Sequence, residues 1–310
     1  MIGVQVKIEG DGKEILKQLA RGLGQQVDQD RLLVPEYIGE GYYKAYALGK
    51  GLSAIVSRCC YKVDFSLKGE LTERPVFVLQ YDHISACEKE AADEVLIELA
   101  FGYGKHQHQQ AREKGKMVKS VRVFIEQDWM EEIIPGNRLN EKLFTFLESM
   151  PGKQLRLPVS PEEKLYLKEI FSHDQETYWD DFYSVIRIEL LLEKFIIRLI
   201  RQFSGKPAYL FSDHETQRLR ESEAALLKDF SEAPPTISEL AKKAGMSPSK
   251  FKADFRNMFG LPVYQYYQHS RMLQARTLME NKRMSIKQAG MMVGYSNLSH
   301  FSAAFKKEFG

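Results

Sequence analysis

Cysteine is scarce in this chain: Cys59, Cys60 and Cys87 are the only three among 310 residues, and none has a paired CxxC spacing. That odd count argues against a zinc cluster or a disulfide frame, and predicts buried, reduced thiols in a reducing compartment. Neighbouring residues on a strand point to opposite faces, so Cys59 and Cys60 are poorly placed to share a metal. Long apolar runs are missing too: no stretch approaches the roughly 18 residues of a membrane span, and no charged-then-apolar leader precedes a small-residue cleavage site. A soluble, cytoplasmic protein with no membrane partner is expected. The chain also has no phosphate-cradling Gly loop and no nucleophile elbow. We therefore read it as a non-enzyme, with no catalytic residues, no metal and no cofactor.

The most informative feature present is a repeat. ISELAKKAGMSPSKFKADFRNMFG, residues 237 to 260, returns as IKQAGMMVGYSNLSHFSAAFKKEFG at 286 to 310. Ile237 meets Ile286, Gly245 meets Gly294, Ser247 meets Ser296, and Phe251, Phe255 and Phe259 meet Phe301, Phe305 and Phe309. Two copies do not make a solenoid. In each copy a short apolar-periodic helix ends at a glycine suited to a left-handed stop. A few residues later Ser247, or Ser296 and Asn297, can cap a second helix carrying phenylalanines at i, i+4 and i+8. Two helices joined by so short a turn predict a helix-turn-helix, twice over.

Between the copies, VYQYYQHSRMLQARTLMENKR predicts a helix that buries Val263, Tyr267, Met272, Leu273, Ala275 and Leu278 and leaves Arg271, Arg276, Lys282 and Arg283 solvated. At 1.5 Å per residue, roughly 18 residues span about 27 Å. That is comparable with the roughly 34 Å between successive major-groove faces of a duplex. Charge points the same way. Residues 233 to 310 carry 12 Lys and Arg against 4 Asp and Glu, a formal +8, whereas residues 1 to 232 carry 32 against 38, a formal −6. A basic segment gains affinity for DNA by releasing counterions, and an acidic one does not.

The first two-thirds reads differently. Between residues 37 and 85, GYYKAYALG, GLSAIVSRCCYKVDFSL and PVFVLQYDHIS read as strands, as does KMVKSVRVFIEQ, predicting a small barrel or double-sheet jelly roll. Residues 86 to 116 are polar and read as a surface excursion, joined to a strand LIELAFGYG. Helices are expected over 130–134, 140–150, 160–171, 176–203 and 214–230. The helix over 176–203 carries two apolar stripes, Phe182, Val185, Leu192, Ile196, Leu199 and Phe203 on one side and Ile186, Leu190, Ile197 and Ile200 on the other. A helix apolar on two sides needs two partners, so the second stripe predicts a two-fold homodimer contact, the alternative being a helix sandwiched within its own domain. The expected class is α+β: a small β-barrel or jelly-roll-like domain with helices over 1–205, a linker and leading helix over 206–235, and an all-α double helix-turn-helix domain over 236–310.

The run Ile286, Gly290, Val293, Gly294, Tyr295, Ser296, His300, Phe301, Ser302, Phe305 and Lys306 resembles the DNA-binding domain of the AraC/XylS family of transcription regulators. Gly290 stands where that family usually has Ala, and should loosen its helix by about 1 kcal/mol. The family pattern continues past the second copy with a short tail, so a chain ending at Gly310 is expected to be cut short. The resemblance implies that the second helix of each unit lies in a major groove. The candidate DNA-contacting residues are Ser247, Ser249, Lys250, Lys252, Ala253 and Arg256 in the first copy, and Ser296, Asn297, Leu298, Ser299, Ser302, Ala303 and Lys306 in the second. Ala253 and Ala303 replace longer polar side chains and can meet only a thymine methyl. Ser249, Lys252, Leu298 and Ser299 are expected to read bases, and Arg256 and Lys306 to hold phosphates. The resemblance further implies double-stranded DNA, RNA polymerase and a small-molecule effector as partners, the effector bound in the N-terminal domain. LGKGLSAIVSRCCYKVDFSL and DHETQRLRESEAALLKDF look like the pyochelin-type siderophore regulators, which would make the effector siderophore-like.

The competing reading is enzymatic: a DNA-repair-type relative fused to a DNA-binding domain, or a cupin-like metal enzyme. His106, His108 and Glu113 have the HxH…E spacing of a cupin metal triad. Their Lys- and Gln-rich surroundings, wrong glycine spacing and lack of a fourth ligand favour a solvated loop.

Overall fold

A computed structural model describes the chain apart from residues 1, 9–10, 71–75, 88–95, 104–108, 134–140, 144, 147–153, 158, 173–177, 205–212, 283 and 310. It divides into two compact units: residues 1–159 with 166–208, and residues 160–165 with 209–310.

The first unit is built on a seven-stranded sheet of order β10-β7-β6-β9-β4-β3-β2. Its strands are β2 (Arg31–Leu33), β3 (Gly39–Gly49), β4 (Leu52–Tyr61), β6 (Val76–Ala86), β7 (Leu96–Tyr103), β9 (Lys116–Glu126) and β10 (Gln154–Leu157). A second sheet, β1-β5-β8, joins β1 (Ile2–Lys7), β5 (Phe65–Glu70) and β8 (Gln109–Arg112), with β1 and β5 parallel. The run GLSAIVSRCCYKVDFSL is thus two strands in different sheets. The polar segment 86 to 116 supplies β7 and β8 and is not merely an excursion. Among the described residues the sheets do not close into a barrel, because the outer strands β10 and β2 do not pair.

Alternation along the strands gives the large sheet two apolar faces. Phe77, Leu79 and Tyr81 of β6 with Val121, Val123 and Ile125 of β9 face one core, which helix α4 (Tyr178–Ser204) covers with Ile188, Leu191, Leu192, Phe195, Ile196 and Leu199. Each such fully buried Leu or Phe contributes about 1.5–3 kcal/mol. Ile55 and Cys59 of β4 with Val118 and Phe124 of β9 face the other core, shared with the small sheet and helix α1 (Gly12–Leu23). Asp11 caps α1 by accepting from the Lys13 amide, and Gly24, at φ 65°, ends it. Helices α2 (Gln127–Ile133) and α3 (Pro161–Ser172) complete the elements begun before residue 173. The helix expected at 140–150 lies partly outside the described residues, as do Phe203's side chain and the boundary at residues 205–207.

The expectation of three reduced cysteines is corrected. Cys60 and Cys87 form a disulfide, with Cα atoms 5.7 Å apart. Cys60 is near the end of β4, Cys87 follows β6, and both strands flank β9, so sheet topology brings together residues that are far apart in the chain. Cys59 remains free and buried, and burial pushes its thiol up to about 11. That thiol is un-ionised and inert near neutral pH.

In the second unit, helix α5 (Asp213–Leu226) packs Leu219 and Leu226 against the first helix-turn-helix. That motif is α6 (Ile237–Lys243) and α7 (Pro248–Phe259), followed by the connecting helix α8 (Val263–Lys282), then α9 (Ile286–Met292) and α10 (Leu298–Phe309). Among the described residues no helix is long and apolar enough to cross a membrane.

Candidate nucleic-acid interface

Both copies are set by the same local chemistry. Thr236 caps α6 and Ser285 caps α9, each closing a capping box with the side chain three residues on, Glu239 and Gln288. Two amides that the helix cannot satisfy itself are thereby paired. Gly245 and Gly294 then adopt φ 63° and 77°, the left-handed conformation that stops the first helix of each unit. Gly294 has a second reason to be glycine: a Cβ there would lie 2.2 Å from the Phe230 carbonyl oxygen.

The second helices start from side-chain caps. Ser247 Oγ accepts from the Lys250 amide, and Asn297 Oδ1 accepts from the amides of Ser299 at 2.9 Å and His300 at 3.3 Å. Ser296 is not the cap. The extra residue of the second turn places Ser247 opposite Asn297, and the two 12-residue helices then correspond at a constant offset of 50. Ser249 matches Ser299, Lys252 matches Ser302, Ala253 matches Ala303, and Arg256 matches Lys306. Lys250 matches His300, which is exposed.

Every candidate DNA-contacting residue is exposed: Ser247, Ser249, Lys250, Lys252, Ala253 and Arg256, then Ser296, Asn297, Leu298, Ser299, Ser302, Ala303 and Lys306. They are not equally available. Lys250 pairs with the buried carboxylate of Asp254 and, at 3.2 Å, with Glu215, so part of its charge is already compensated. Ser247 and Asn297 are committed to capping. Among the described residues Lys252, Arg256 and Lys306 form no ion pair, which leaves their charges for a partner.

The connecting helix has 20 residues, about 30 Å at 1.5 Å per residue. All six residues expected to face inward are buried, and Tyr266, at 0% exposure, is a seventh the periodicity missed. Arg271 is not solvated. Its Nε donates to the Val293 carbonyl and its guanidinium lies 4.0 Å over the Tyr295 ring, so it pairs the carbonyl that ends α9. Arg276 pairs with Glu280 and lies over the Phe309 ring. Ile286, expected on the apolar stripe of α9, is 58% exposed, and Met291, Met292 and Leu298 are exposed beside it. Together with Gly290, Tyr295 and Phe301, residues Met291 and Leu298 line an open groove of about 510 Å³ with Lys287 at its edge.

Of the other candidate residues, Ile186 and Leu190 are half-buried, Ile200 packs against the sheet core, and Ile197 is exposed. Phe182, assigned to the inward stripe, is instead exposed. His106 and His108 lie outside the described residues, and Glu113 is exposed between β8 and β9.

A family model described as a helix-turn-helix domain matches residues 240–310. The HTH-type transcriptional regulator AlkR of Acinetobacter baylyi is 34% identical over 85 residues, 27% of this chain and 28% of that protein. The virulence regulon transcriptional activator VirF of Yersinia enterocolitica is 30% identical over 135 residues, 42% and 48% of the two chains. The arabinose operon regulatory protein of Escherichia coli is 30% identical over 90 residues, 29% and 31%. The chain thus spans half or less of the length of these relatives. Among solved structures, the DNA-binding domain of AdpA in complex with a target DNA is 27% identical, covering 30% of this chain and 83% of that one, with a TM-score of 0.28. ToxT from Vibrio cholerae is 11% identical, covering 84% and 95%, with a TM-score of 0.29. The family match and the named regulators support the AraC/XylS resemblance, which these comparisons place in residues 240–310 for the helix-turn-helix match.

Proposed function

We propose that this chain is a sequence-specific DNA-binding regulator of transcription of the AraC/XylS type, in which α7 and α10 enter successive major-groove faces of one duplex. What supports this is the pairing of two capped 12-residue helices, each with an exposed polar face, through a 20-residue helix in a segment of formal charge +8. Lys252, Arg256 and Lys306 supply phosphate contacts or base contacts from open positions, whereas Ser249, Ser299, Leu298 and the two alanines offer hydroxyl and methyl contacts to base edges. Residues 1–205 form the effector-sensing and dimerising part, residues 206–235 connect, and residues 236–310 read DNA. A dimer would use the outer side of α4, at Ile186, Leu190 and Ile197, whereas Ile200, expected with them, packs against the sheet core. Effector and DNA then change each other's affinity by the same factor.

Selection of bound sequences from random duplex DNA tests the central claim, with half-site spacing read from the result. The expected outcome is an enriched site spanning two groove faces, and retention that falls steeply as salt rises from about 50 to 200 mM. Salt-independent binding, or no enriched sequence, would sink it.

A further inference from the structure

The second unit contains one segment from far upstream in the chain. Residues 160–165 belong to it, although residues 166–208 belong to the first unit. They are the start of α3, and a capping pair of their own sets that turn. The Ser160 amide donates to Glu163 Oε2 at 2.6 Å, and the Glu163 amide donates to Ser160 Oγ at 3.2 Å. Glu163 is fully buried, so the turn is packed and not a solvated lead-in. On either side of it, Glu162 and Lys164 reach other elements of the unit. Lys164 Nζ lies 2.6 Å from Glu223 Oε1 of α5, and the Tyr266 hydroxyl of the connecting helix α8 donates to the same oxygen. Glu223 and Tyr266 are both buried, and a carboxylate taken out of water needs such a cation. Glu162 Oε1 lies 3.5 Å from His269 Nε2, while His269 Nδ1 faces the Glu308 carboxylate of α10. A doubly protonated ring can donate to both.

Both contacts end behind a candidate reading helix. Tyr266 packs on Phe255 and Phe259, with ring centroids 5.4 and 5.2 Å away. Those phenylalanines line the buried side of α7, whose exposed side carries Ser249, Lys252 and Arg256. Glu308 is nine residues, about two and a half turns, beyond Ser299, which puts it on the far side of α10 from that candidate base contact. Tyr266 and His269 are three residues apart on α8 and so share a face. One short segment therefore bears on the rear of both readers through a single turn of the helix that joins them. Little else is available for that task. Capping boxes and glycine stops fix each helix-turn-helix internally, and leave the angle between the two open. The cores of the two copies are separate clusters, with Phe230 packed at the edge of both.

We propose that Glu162 and Lys164 are positioning residues for DNA recognition: through His269 and the Glu223–Tyr266 pair they hold α10 and α7 at the mutual orientation that lets both enter one duplex. This rests on the reading of the chain as a DNA-binding regulator. It assigns part of the specificity for half-site spacing to two residues that lie outside both helix-turn-helix copies and behind their reading faces.

The test uses the full chain, the site selected from random duplex DNA, and the same duplex lengthened by a single base pair between its halves. Glu162→Gln removes a negative charge, so charge alone predicts tighter binding to both duplexes. Positioning predicts weaker binding to the selected site. Affinity should fall roughly fivefold, the effect of one lost charge-assisted hydrogen bond, and the preference over the lengthened site should fall with it. The slope of log affinity against log salt should stay the same, because no phosphate contact is lost. Lys164→Met should act in the same direction, and Lys164→Arg, which keeps the cation, should restore the preference. Tighter binding by Glu162→Gln would overturn the proposal. So would affinities for the two duplexes that fall alike, because a purely structural role lowers the folded fraction and leaves their ratio unchanged. Should Lys164→Met fail to fold, Glu162→Gln decides, since that side chain is partly exposed and glutamine keeps its shape. If the unaltered chain selects no sequence, the regulator reading falls and this proposal with it. If it selects a site and the ratio does not move in Glu162→Gln, only this proposal falls.

Discussion

The two helix-turn-helix copies have caps at equivalent positions, the same glycine stop and second helices of equal length, yet they bury their phenylalanines differently. In the first, Phe251 and Phe255 are fully enclosed and Phe259 nearly so, because Leu219 and Leu226 of α5 and Tyr266 of α8 close around them. In the second, only Phe301 is enclosed, Phe305 and Phe309 are partly exposed, and Ile286, Met291, Met292 and Leu298 face outward. Local sequence therefore determines the unit, and neighbouring elements determine how far it is buried. The copies also present different chemistry. The first offers open cationic side chains, while the second offers hydroxyls, an imidazole and apolar surface around a single open lysine position on the matched face.

The largest expected effect tests this difference in burial. Phe255→Ala should cost about 3–5 kcal/mol, and Phe305→Ala about half that or less, because the loss follows how much buried contact is removed. Both tryptophans, Trp129 and Trp179, lie in the first unit. Tryptophan fluorescence therefore follows that unit, while the helical far-ultraviolet signal also carries the second. Denaturation read by both signals should show the loss in the helical signal, and equal losses for the two variants would remove the distinction between the copies.

Reduction of the Cys60–Cys87 disulfide is the complementary perturbation, since it belongs to the first unit alone. Opening a cross-link between residues 27 apart in sequence should cost about 3.5 kcal/mol by the loop-closure model. The tryptophan midpoint should fall while the inequality between Phe255→Ala and Phe305→Ala persists. Titration of three free thiols in the non-reduced, denatured chain would contradict the pairing.

Smaller effects separate the charges. Arg256→Ala and Lys252→Ala should each reduce the slope of log affinity against log salt by about 1, as should Lys306→Ala in the second copy. Lys250→Ala should change the slope less, because Asp254 and Glu215 already compensate that ammonium. A Lys250→Ala loss as large as that of Arg256→Ala would show that the ion pairs open on DNA, and would restore the simpler picture in which every exposed lysine counts alike.

Much of the second unit was legible in the sequence because its determinants are local: caps, glycine stops and a four-residue phenylalanine spacing all act within a few residues. What escaped it depends on distant partners. Arg271 looked like a solvated arginine until Val293 and Tyr295 came to meet it, and Ser296 looked as good a cap as Asn297 until the turn's extra residue decided between them. In the first unit the strands with regular apolar alternation were visible. Strand β8, by contrast, reads as polar loop, although Arg112 is buried and pairs with Asp82, thirty residues earlier in the chain. Helix α1 and strand β1 drew no expectation, and β10 is only four residues long. The disulfide required the order of three strands, which no spacing of cysteines reveals.

The smallest effect concerns Gly290, where local and tertiary preferences oppose each other. In the middle of a helix, replacing Gly by Ala ordinarily stabilises by about 1 kcal/mol. Here a Cβ would lie 3.1 Å from two atoms of the Phe301 ring, closer than ordinary van der Waals contact. Phe301 is the enclosed anchor of the second copy, at 1% exposure, so it has little room to retreat. Gly290→Ala is therefore expected to lose the propensity gain and leave stability unchanged or slightly lower, by less than about 1 kcal/mol. A control at an exposed helical position of the same unit, Ser302→Ala, should show the ordinary favourable propensity. If Gly290→Ala instead gained the full helix preference, Phe301 would have to be free to shift, and the second copy would be more loosely packed around its own anchor than the first is around Phe251 and Phe255.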